Sequence, residues 1–216
     1  MIRVAVAGAA GRMGQAVCAA VEGAEDLELA GRADPALGTT IADILDGADV
    51  VVDFTLPDQA TANAAQVTHA GVHFVVGTSG FSEEELREAV KGAPGKCIWA
   101  PNFAIGAVLM MRFAAEASRI MSSAEIIEYH HPAKVDAPSG TAKRTAEMME
   151  GDVPIHSVRL PGLVADQEVI LGDVAQTLTI RHVTTDRTSF MPGVLLACRK
   201  VGSLEESPVV GLEHLL

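Results

Sequence analysis

The sequence predicts an α/β protein in two parts: a parallel sheet with helices on both faces, then an α+β part with an open mixed sheet. Up to Asn102, short apolar runs alternate with helical patterns, a rhythm typical of parallel sheets. After Asn102 the rhythm changes, because one long helical pattern leads into several strand patterns. A helical pattern returns over 190–200 and ends this succession.

The elements of the first part follow from apolar runs and helix-start signals. Gly8 ends a β-branched, apolar run that is typical of a buried parallel strand. Ser82 and Glu85 form a capping-box pattern, which predicts the start of a helix. The predicted strands are 2–7, 27–33, 50–55, 72–78 and 96–102, and the predicted helices are 12–22, 58–70 and 81–90.

The second part is predicted to begin with a helix over 105–121 and a strand over 124–131. Ser139 is a good N-cap, so a second helix is expected to start there. Three strand patterns follow between 156 and 183, separated by glycine turn signals. This order of elements is typical of an α+β arrangement.

Composition excludes several classes of partner. The chain has 216 residues, of which 49% are hydrophobic, so it is long and apolar enough for a buried core. Its formal net charge of −12 repels phosphate at long range, so neither nucleic acid nor an anionic membrane is expected to bind. No apolar run approaches the roughly 20 residues that span a bilayer, and the N-terminus begins directly with a strand pattern. A cytoplasmic location is therefore expected.

The three cysteines are interpreted as small core residues. Cys18, Cys97 and Cys198 are far apart in sequence, and their spacing fits neither a disulfide framework nor a metal site. Each has apolar neighbours, which is typical of a buried free cysteine.

A glycine-rich turn after the first strand predicts a dinucleotide site. Gly8, Gly11 and Gly14 have GxxGxxG spacing, a variant of the motif that brings backbone close to a pyrophosphate at a helix N-terminus. Asp34 lies 20 residues after Gly14, where a carboxylate accepts hydrogen bonds from an adenosine ribose and favours NAD over NADP. Arg32 leaves that preference open, since an arginine could contact a 2′-phosphate. A plain strand-to-helix turn is the alternative for the glycines, and a turn residue is the alternative for Asp34.

Two later loops are expected to lie beside the same ligand. Residues 77–79 follow the fourth predicted strand, and residues 100–103 follow the fifth. Because ligands bind beyond the carboxyl ends of the strands in open α/β sheets, both loops are placed to flank the ribose and nicotinamide.

The densest cluster of titratable groups is the segment 130–141. Two histidines, a lysine and an aspartate fall within seven residues at a predicted strand end. Ser139 then opens a helix, so the N–H groups of Gly140 and Thr141 should favour an anion. With the mobile charge of Lys134, these groups predict a site for a carboxylate.

The two histidines, His130 and His131, are not expected to bind a metal. Neighbours on a strand point to opposite faces, and no carboxylate or cysteine completes a familiar ligand spacing. Histidine is suited to proton transfer near neutral pH, so a role in catalysis or substrate binding is favoured over a structural pair.

These motifs resemble the dihydrodipicolinate reductase family of bacterial lysine and diaminopimelate biosynthesis. The similar stretches are VAGAAGRMG, DFT at 53–55, GTSGF at 77–81, APNFAIG at 100–106 and, most specifically, HHPAKVDAPSGTA at 130–142. The resemblance extends over essentially the whole chain. It implies reduction of a cyclic dicarboxylate, 4-hydroxy-tetrahydrodipicolinate, to tetrahydrodipicolinate with NADH and/or NADPH. It also implies a homotetramer joined through the sheet of the second domain.

The resemblance assigns roles to individual residues. His130 matches the family's proton donor, and Lys134 matches its catalytic lysine. His131, Gly140 and Thr141 match substrate contacts. The residues that match dinucleotide contacts are Gly8, Ala9, Ala10, Gly11, Arg12, Met13, Asp34, Gly77, Thr78, Ser79, Ala100, Pro101, Asn102 and Phe103.

The resemblance also implies a Rossmann-like dinucleotide domain, 1–103 with 191–216, and a substrate and oligomerisation domain, 104–190. The chain departs from the family pattern at Ala133, where many members have a histidine, and at Pro35, where many have an arginine. Pro35 favours NADH or dual use. Two alternatives stay open: another two-domain dehydrogenase of the amino-acid type, and a dinucleotide sensor or scaffold without activity.

Overall fold

The computed structural model describes residues 1–216 and divides into two compact units. The first unit is Met1–Phe103 with Phe190–Leu216, and the second is Ala104–Ser189. No helix has both the length and the apolar character that a membrane crossing needs.

The chain forms ten strands and six α-helices. The strands are β1 (Ile2–Ala7), β2 (Leu27–Ala33), β3 (Val50–Asp53), β4 (His73–Val76), β5 (Cys97–Trp99), β6 (Ser123–His130), β7 (Ile155–Arg159), β8 (Ala165–Asp173), β9 (Gln176–His182) and β10 (Val209–Val210). The helices are α1 (Arg12–Glu22), α2 (Pro57–His69), α3 (Glu83–Ala89), α4 (Ile105–Ser118), α5 (Gly140–Met148) and α6 (Met191–Lys200).

The first unit is built on a six-stranded sheet in the order β10-β5-β4-β3-β1-β2, and every neighbouring pair is parallel. The strand order reverses between β1 and β3, since β2 lies on one side of β1 and later strands lie on the other. In an open parallel sheet, such a reversal opens a crevice beyond the carboxyl ends of the strands. The predicted sheet is confirmed.

The core of the first unit explains the apolar sequence of its strands. The side chains of β1 from Val4 to Ala7 are at most 1% exposed, as expected for strands covered on both faces. The helices α1 and α6 each bury one apolar stripe that includes a cysteine, Cys18 and Cys198. All three cysteines are free and buried, which confirms their interpretation as core residues.

The second unit has a four-stranded mixed sheet in the order β7-β6-β8-β9. The pair β6–β7 is parallel, whereas β6–β8 and β8–β9 are antiparallel. Met110 and Met111 of α4 and Ala142 of α5 pack against Ile126 and Val169 of the sheet. Both helices therefore cover the same face, and the predicted α+β arrangement with an open mixed sheet is confirmed.

Several predicted elements end earlier than their apolar runs. The strand expected over 50–55 stops at Asp53, and the strand expected over 96–102 stops at Trp99. The residues that follow leave the sheet and form the loops at its carboxyl edge. The helix expected over 105–121 similarly ends at Ser118. The strand β10 was not predicted, because two residues are too few to show a periodic pattern.

Candidate active site

The turn after β1, called here the glycine turn (Gly8–Gly14), requires glycine at positions where a side chain would clash with the backbone. Gly8 has a φ of +74°, and a Cβ there would lie 2.7 Å from the carbonyl oxygen of Phe54. A Cβ at Gly14 would overlap the backbone of Gly8 and Ala9. Gly11 is the N-cap of α1 and offers no side-chain acceptor, so the first N–H groups of the helix remain available to an anion.

The carboxylate of Asp34 connects the end of β2 to the glycine turn. Its Oδ2 accepts a hydrogen bond from the Ala10 N–H at 3.1 Å, and its Oδ1 accepts one from the Ala36 N–H at 2.9 Å. An ionised carboxylate has about four acceptor positions, so capacity remains for ribose hydroxyls. Asp34 is thus a turn residue that also contacts the predicted cofactor turn. Arg32 is paired with Glu22 at 2.7 Å.

A cavity of about 540 Å³ opens at the glycine turn, where the strand order reverses. Its lining includes Gly8 and Gly11, Asp34, and Thr55 from the loop after β3. The volume falls in the range of small-molecule and cofactor sites, and the position is where open α/β sheets bind dinucleotides. The three glycines of the turn, the uncapped helix and the cavity together fit a dinucleotide.

A buried polar network around Asp53 connects the loops after β3 and β4. Asp53 accepts hydrogen bonds from the N–H and hydroxyl of Thr55 at 2.8 and 2.7 Å, and from Asn63 at 2.8 Å. Burial raises the pKa of Asp53, and these hydrogen bonds oppose the rise. The Thr78 hydroxyl donates to the Thr55 carbonyl at 2.9 Å. The predicted 77–79 loop is therefore attached to the loop that lines the cavity.

The loop 100–103 contains both buried and more accessible positions. Ala100 is fully buried, and Phe103 is 3% exposed with its ring centroid 5.9 Å from that of Phe54. Pro101 and Asn102 are half-buried. Pro101 and Asn102 are thus the accessible positions of this loop, whereas Ala100 and Phe103 support the loop from the core.

The remaining predicted cofactor residues differ in accessibility. Arg12 and Ser79 are exposed. Met13 and Gly77 are half-buried, and Ala9 is buried in the glycine turn. Arg12, in the first turn of α1, is the cation on the glycine turn.

In the second unit, His130 and Glu128 lie two residues apart on β6 and therefore on the same face of the sheet. His130 Nδ1 lies 2.5 Å from Oε2 of Glu128, which is fully buried. Arg159 of β7 donates to both oxygens of Glu128, at 2.7 and 2.9 Å. Burial alone would raise the pKa of Glu128, but hydrogen bonds led by that of Arg159 outweigh it and lower the pKa to about 2.

His130 is subject to opposing effects. Burial lowers its pKa, whereas the hydrogen bond and charge of Glu128 raise it, and the net shift is downward. His131 is half-buried next to it. No group of three or more His, Cys, Asp or Glu side chains is arranged as a metal site.

The rest of the segment presents cationic and N–H groups. Lys134 pairs with Asp136 at 2.8 Å, and its side chain is 22% exposed. Ser139 is the N-cap of α5 and accepts from the Ala142 N–H at 3.2 Å, which confirms the predicted helix start. A Cβ added at Gly140 would meet nothing within 4 Å, so space is open above the first turn.

Two family models match nearly the whole chain. Dihydrodipicolinate reductase, N-terminus, matches residues 2–103, and dihydrodipicolinate reductase, C-terminus, matches residues 106–216. The chain belongs to the dihydrodipicolinate reductase family. The predicted family is thereby confirmed.

Relatives of this family are similar over their full length. The 4-hydroxy-tetrahydrodipicolinate reductases of Mycolicibacterium smegmatis and Cutibacterium acnes are 46% and 48% identical, with 100% of this chain and 99% of each relative covered. A solved dipicolinate-bound dihydrodipicolinate reductase from Paenisporosarcina sp. TG-14 has a TM-score of 0.85 at 36% identity, with both chains fully covered. An aspartate dehydrogenase from Thermotoga maritima has a TM-score of 0.57 at 13% identity, with 98% and 100% covered, and shares the fold alone.

The sequence did not reveal the buried polar residues that form hydrogen bonds next to these sites. The alternation Glu128-Tyr129-His130 could have placed Glu128 on the face of His130, because strand residues two apart share a face. Arg159 gave no such signal, since it comes from β7 and meets Glu128 only through strand pairing. The role of Asp53 likewise depends on Asn63, which lies on the following helix.

Proposed function

We propose that the chain catalyses the reduction of 4-hydroxy-tetrahydrodipicolinate to tetrahydrodipicolinate with NADH and/or NADPH, in lysine biosynthesis through diaminopimelate. Its family membership and the named activity of relatives at 44–48% identity support this reaction. The observation that carries the proposal is the segment 130–141, in which a histidine with a buried carboxylate partner adjoins a lysine and a helix N-terminus.

The first unit supports the cofactor part of the proposal. We assign the dinucleotide to a domain of 1–103 and 191–216, with contacts from the glycine turn, Asp34 and the loops 77–79 and 100–103. When bound, the dinucleotide supplies the hydride. The N–H groups at the start of α1, together with Arg12, provide positive potential for its phosphates. On a chain of net charge −12, this local potential matters because the global field repels anions.

The second unit supports the substrate part. In a substrate domain of 104–190, the start of α5 binds one substrate carboxylate through the N–H groups of Gly140 and Thr141, with help from the charge of Lys134. His131 provides a further substrate contact. The same positive groups stabilise the negative charge that develops as the ring is reduced.

Proton transfer is assigned to His130. The substrate loses its hydroxyl as water, a hydride reaches ring C4, and a proton reaches the adjacent carbon from His130 or through it. Glu128 is ionised at neutral pH and accepts from Nδ1, so His130 exchanges its proton at Nε2. His130 then regains a proton from solvent.

We also propose that the chain forms a homotetramer and that it acts in the cytoplasm. The face of the second sheet opposite α4 and α5 is covered by no helix of its own unit and carries Ile127, Tyr129 and Ile170. An uncovered sheet face with apolar side chains supports association with other copies of the chain. Sedimentation of the purified protein measures the number of copies, and a monomer would contradict this part.

The experiment is a steady-state assay of the purified chain with freshly made 4-hydroxy-tetrahydrodipicolinate, run with NADH and with NADPH. We expect oxidation of the reduced dinucleotide that depends on the substrate. Binding of NADH or NADPH without any oxidation on adding substrate would contradict the proposal and favour a dinucleotide sensor.

A further inference from the structure

Glu128 touches both functional parts of the segment 130–141. Its Oε2 is 2.5 Å from Nδ1 of His130, the proton-transfer residue. Its Oε1 accepts the Ser139 N–H at 3.3 Å, at the start of the helix assigned to carboxylate binding. The side chain is 0% exposed, so these hydrogen bonds are shielded from bulk solvent. One buried carboxylate therefore connects the proton donor to the anion site.

Arg159 compensates the charge of Glu128 and extends the connection. Its guanidinium donates to both oxygens of Glu128, and its Nη2 also donates to the carbonyl of Asp136 at 2.9 Å. Asp136 in turn pairs with Lys134. A buried carboxylate with a planar, bidentate arginine partner has a fixed orientation, which a flexible surface pair lacks.

The protonation state of the pair determines which imidazole atom can react. An ionised carboxylate only accepts hydrogen bonds, so Nδ1 of His130 must carry a proton in both the neutral and the cationic imidazole. Nε2 is then the atom that gains and loses a proton. Without Glu128, either nitrogen of the neutral ring could carry the proton, and part of the enzyme would present the wrong tautomer.

We propose that Glu128 is a positioning residue that fixes the Nδ1–H tautomer of His130 and, with Arg159, aligns it with the helix start at Ser139. The proposal deepens the proposed function, because proton transfer at Nε2 is what the fixed tautomer serves. The Glu128 side chain is fully buried, so it acts through His130 rather than on the substrate directly. A purely structural ion pair would stabilise the fold without determining where the proton of His130 lies.

The charged groups around His130 set the expected pH dependence. Glu128 is the anion in contact with it; Asp136 adds a second negative charge, while Lys134 and Arg159 lie near it as cations. Replacing Glu128 by glutamine removes the contacting negative charge and leaves both cations. The pH above which kcat/KM falls, as His130 loses its proton, should move down by about one to two units.

The first measurement is made on the wild-type protein without substrate. Nitrogen-15 NMR of the imidazoles, with the His130 signal assigned from the His130→Gln spectrum, should show a single neutral tautomer with Nδ1 protonated and Nε2 bare. A protonated Nε2, or an even mixture of tautomers, overturns the proposal. Because this readout needs no activity, it stands even if the proposed reaction fails, whereas loss of the wild-type reaction alone would refute only the proposed function.

The second measurement compares three variants. E128Q should show mixed tautomers, the downward shift in the pH profile, and a loss in kcat of about ten-fold or more. E128D, which keeps the charge, should restore the wild-type pH profile at least in part. E116Q is the matched control, since Glu116 pairs with Arg119 at 3.2 Å on the exposed side of α4. It should change neither readout.

The variants also separate positioning from simple stabilisation. An E128Q protein that melts lower but keeps the wild-type tautomer and pH profile would contradict the proposal. If E128Q does not fold, the wild-type tautomer and the E128D pH profile decide the question.

Discussion

Gly14 tests the glycine turn most sharply, because a methyl group there meets backbone rather than a movable side chain. In Gly14→Ala the Cβ would overlap the carbonyl oxygen of Gly8 and lie 2.7 Å from the Cα of Ala9. Such overpacking costs about 1–3 kcal/mol, while alanine gains about 1 kcal/mol over glycine inside a helix. The net loss of stability should therefore be about 0–2 kcal/mol.

The larger effect is expected on dinucleotide binding. Relief of the overlap displaces the turn and removes at least one backbone hydrogen bond to a phosphate, which is worth about 1.5–3 kcal/mol for a charged partner. That loss raises Kd by about ten-fold to a hundred-fold. Fluorescence titration with NADH and NADPH measures Kd, and urea unfolding measures stability.

Gly23→Ala in the same helix is the matched control. Gly23 is the C-cap of α1 with a φ of −84°, and an added Cβ would be 3.4 Å from the Ala19 carbonyl oxygen, an ordinary contact. Its stability should stay within about 0.5 kcal/mol of wild type, with unchanged Kd. Wild-type Kd in Gly14→Ala would refute the assignment of the glycine turn to the cofactor.

Three further results are expected. Asp34→Ala loses the hydrogen bond from the Ala10 N–H and should weaken NADH binding about ten-fold in titration. NADPH binding should weaken less, because the wild-type carboxylate repels a 2′-phosphate. Equal Kd values for wild type and variant would contradict the role of Asp34 in cofactor binding. The pKa of Glu128 is lowered from 4.5 to about 2, so its ionised form stabilises the fold fully above pH 4.5 and progressively less as the pH falls towards about 2. The free energy of unfolding should therefore drop by about 3 kcal/mol over that pH interval, and a flat profile would contradict the buried ion pair. Ser139→Ala removes the cap of Ala142 and should cost about 1 kcal/mol in urea unfolding and raise KM for substrate, whereas an unchanged KM would separate this helix start from carboxylate binding.

Much of the fold follows from local sequence. The run 2–7 followed by glycines, and the capping box at Ser82, predict a strand, a turn and a helix, because each depends on neighbours along the chain. The strand Val209–Val210 does not follow in this way. This strand is defined by its pairing with β5, which lies more than a hundred residues earlier in the chain. Two residues are too few to show a periodic pattern in the sequence.

The candidate sites likewise contain residues that are close in sequence and residues that meet only in the fold. The segment 130–141 and the glycine turn are contiguous in sequence, so their residue types can be recognised together. The polar partners behind the site residues come from distant strands and helices: Arg159 reaches Glu128 through the pairing of β6 with β7, and Asn63 reaches Asp53 from α2. Pattern reasoning over neighbouring residues has no means of finding such pairs.

The most direct test of the account is the turnover of His130→Gln and Lys134→Ala with fresh 4-hydroxy-tetrahydrodipicolinate and saturating NADH or NADPH. His69→Gln, which replaces an exposed histidine at the end of α2, is the control and should behave as wild type. We predict that each of the first two variants folds normally and loses about 10²–10⁴-fold in kcat. Near-wild-type turnover in both, with folding intact, would contradict the assignment of the chemistry to this segment.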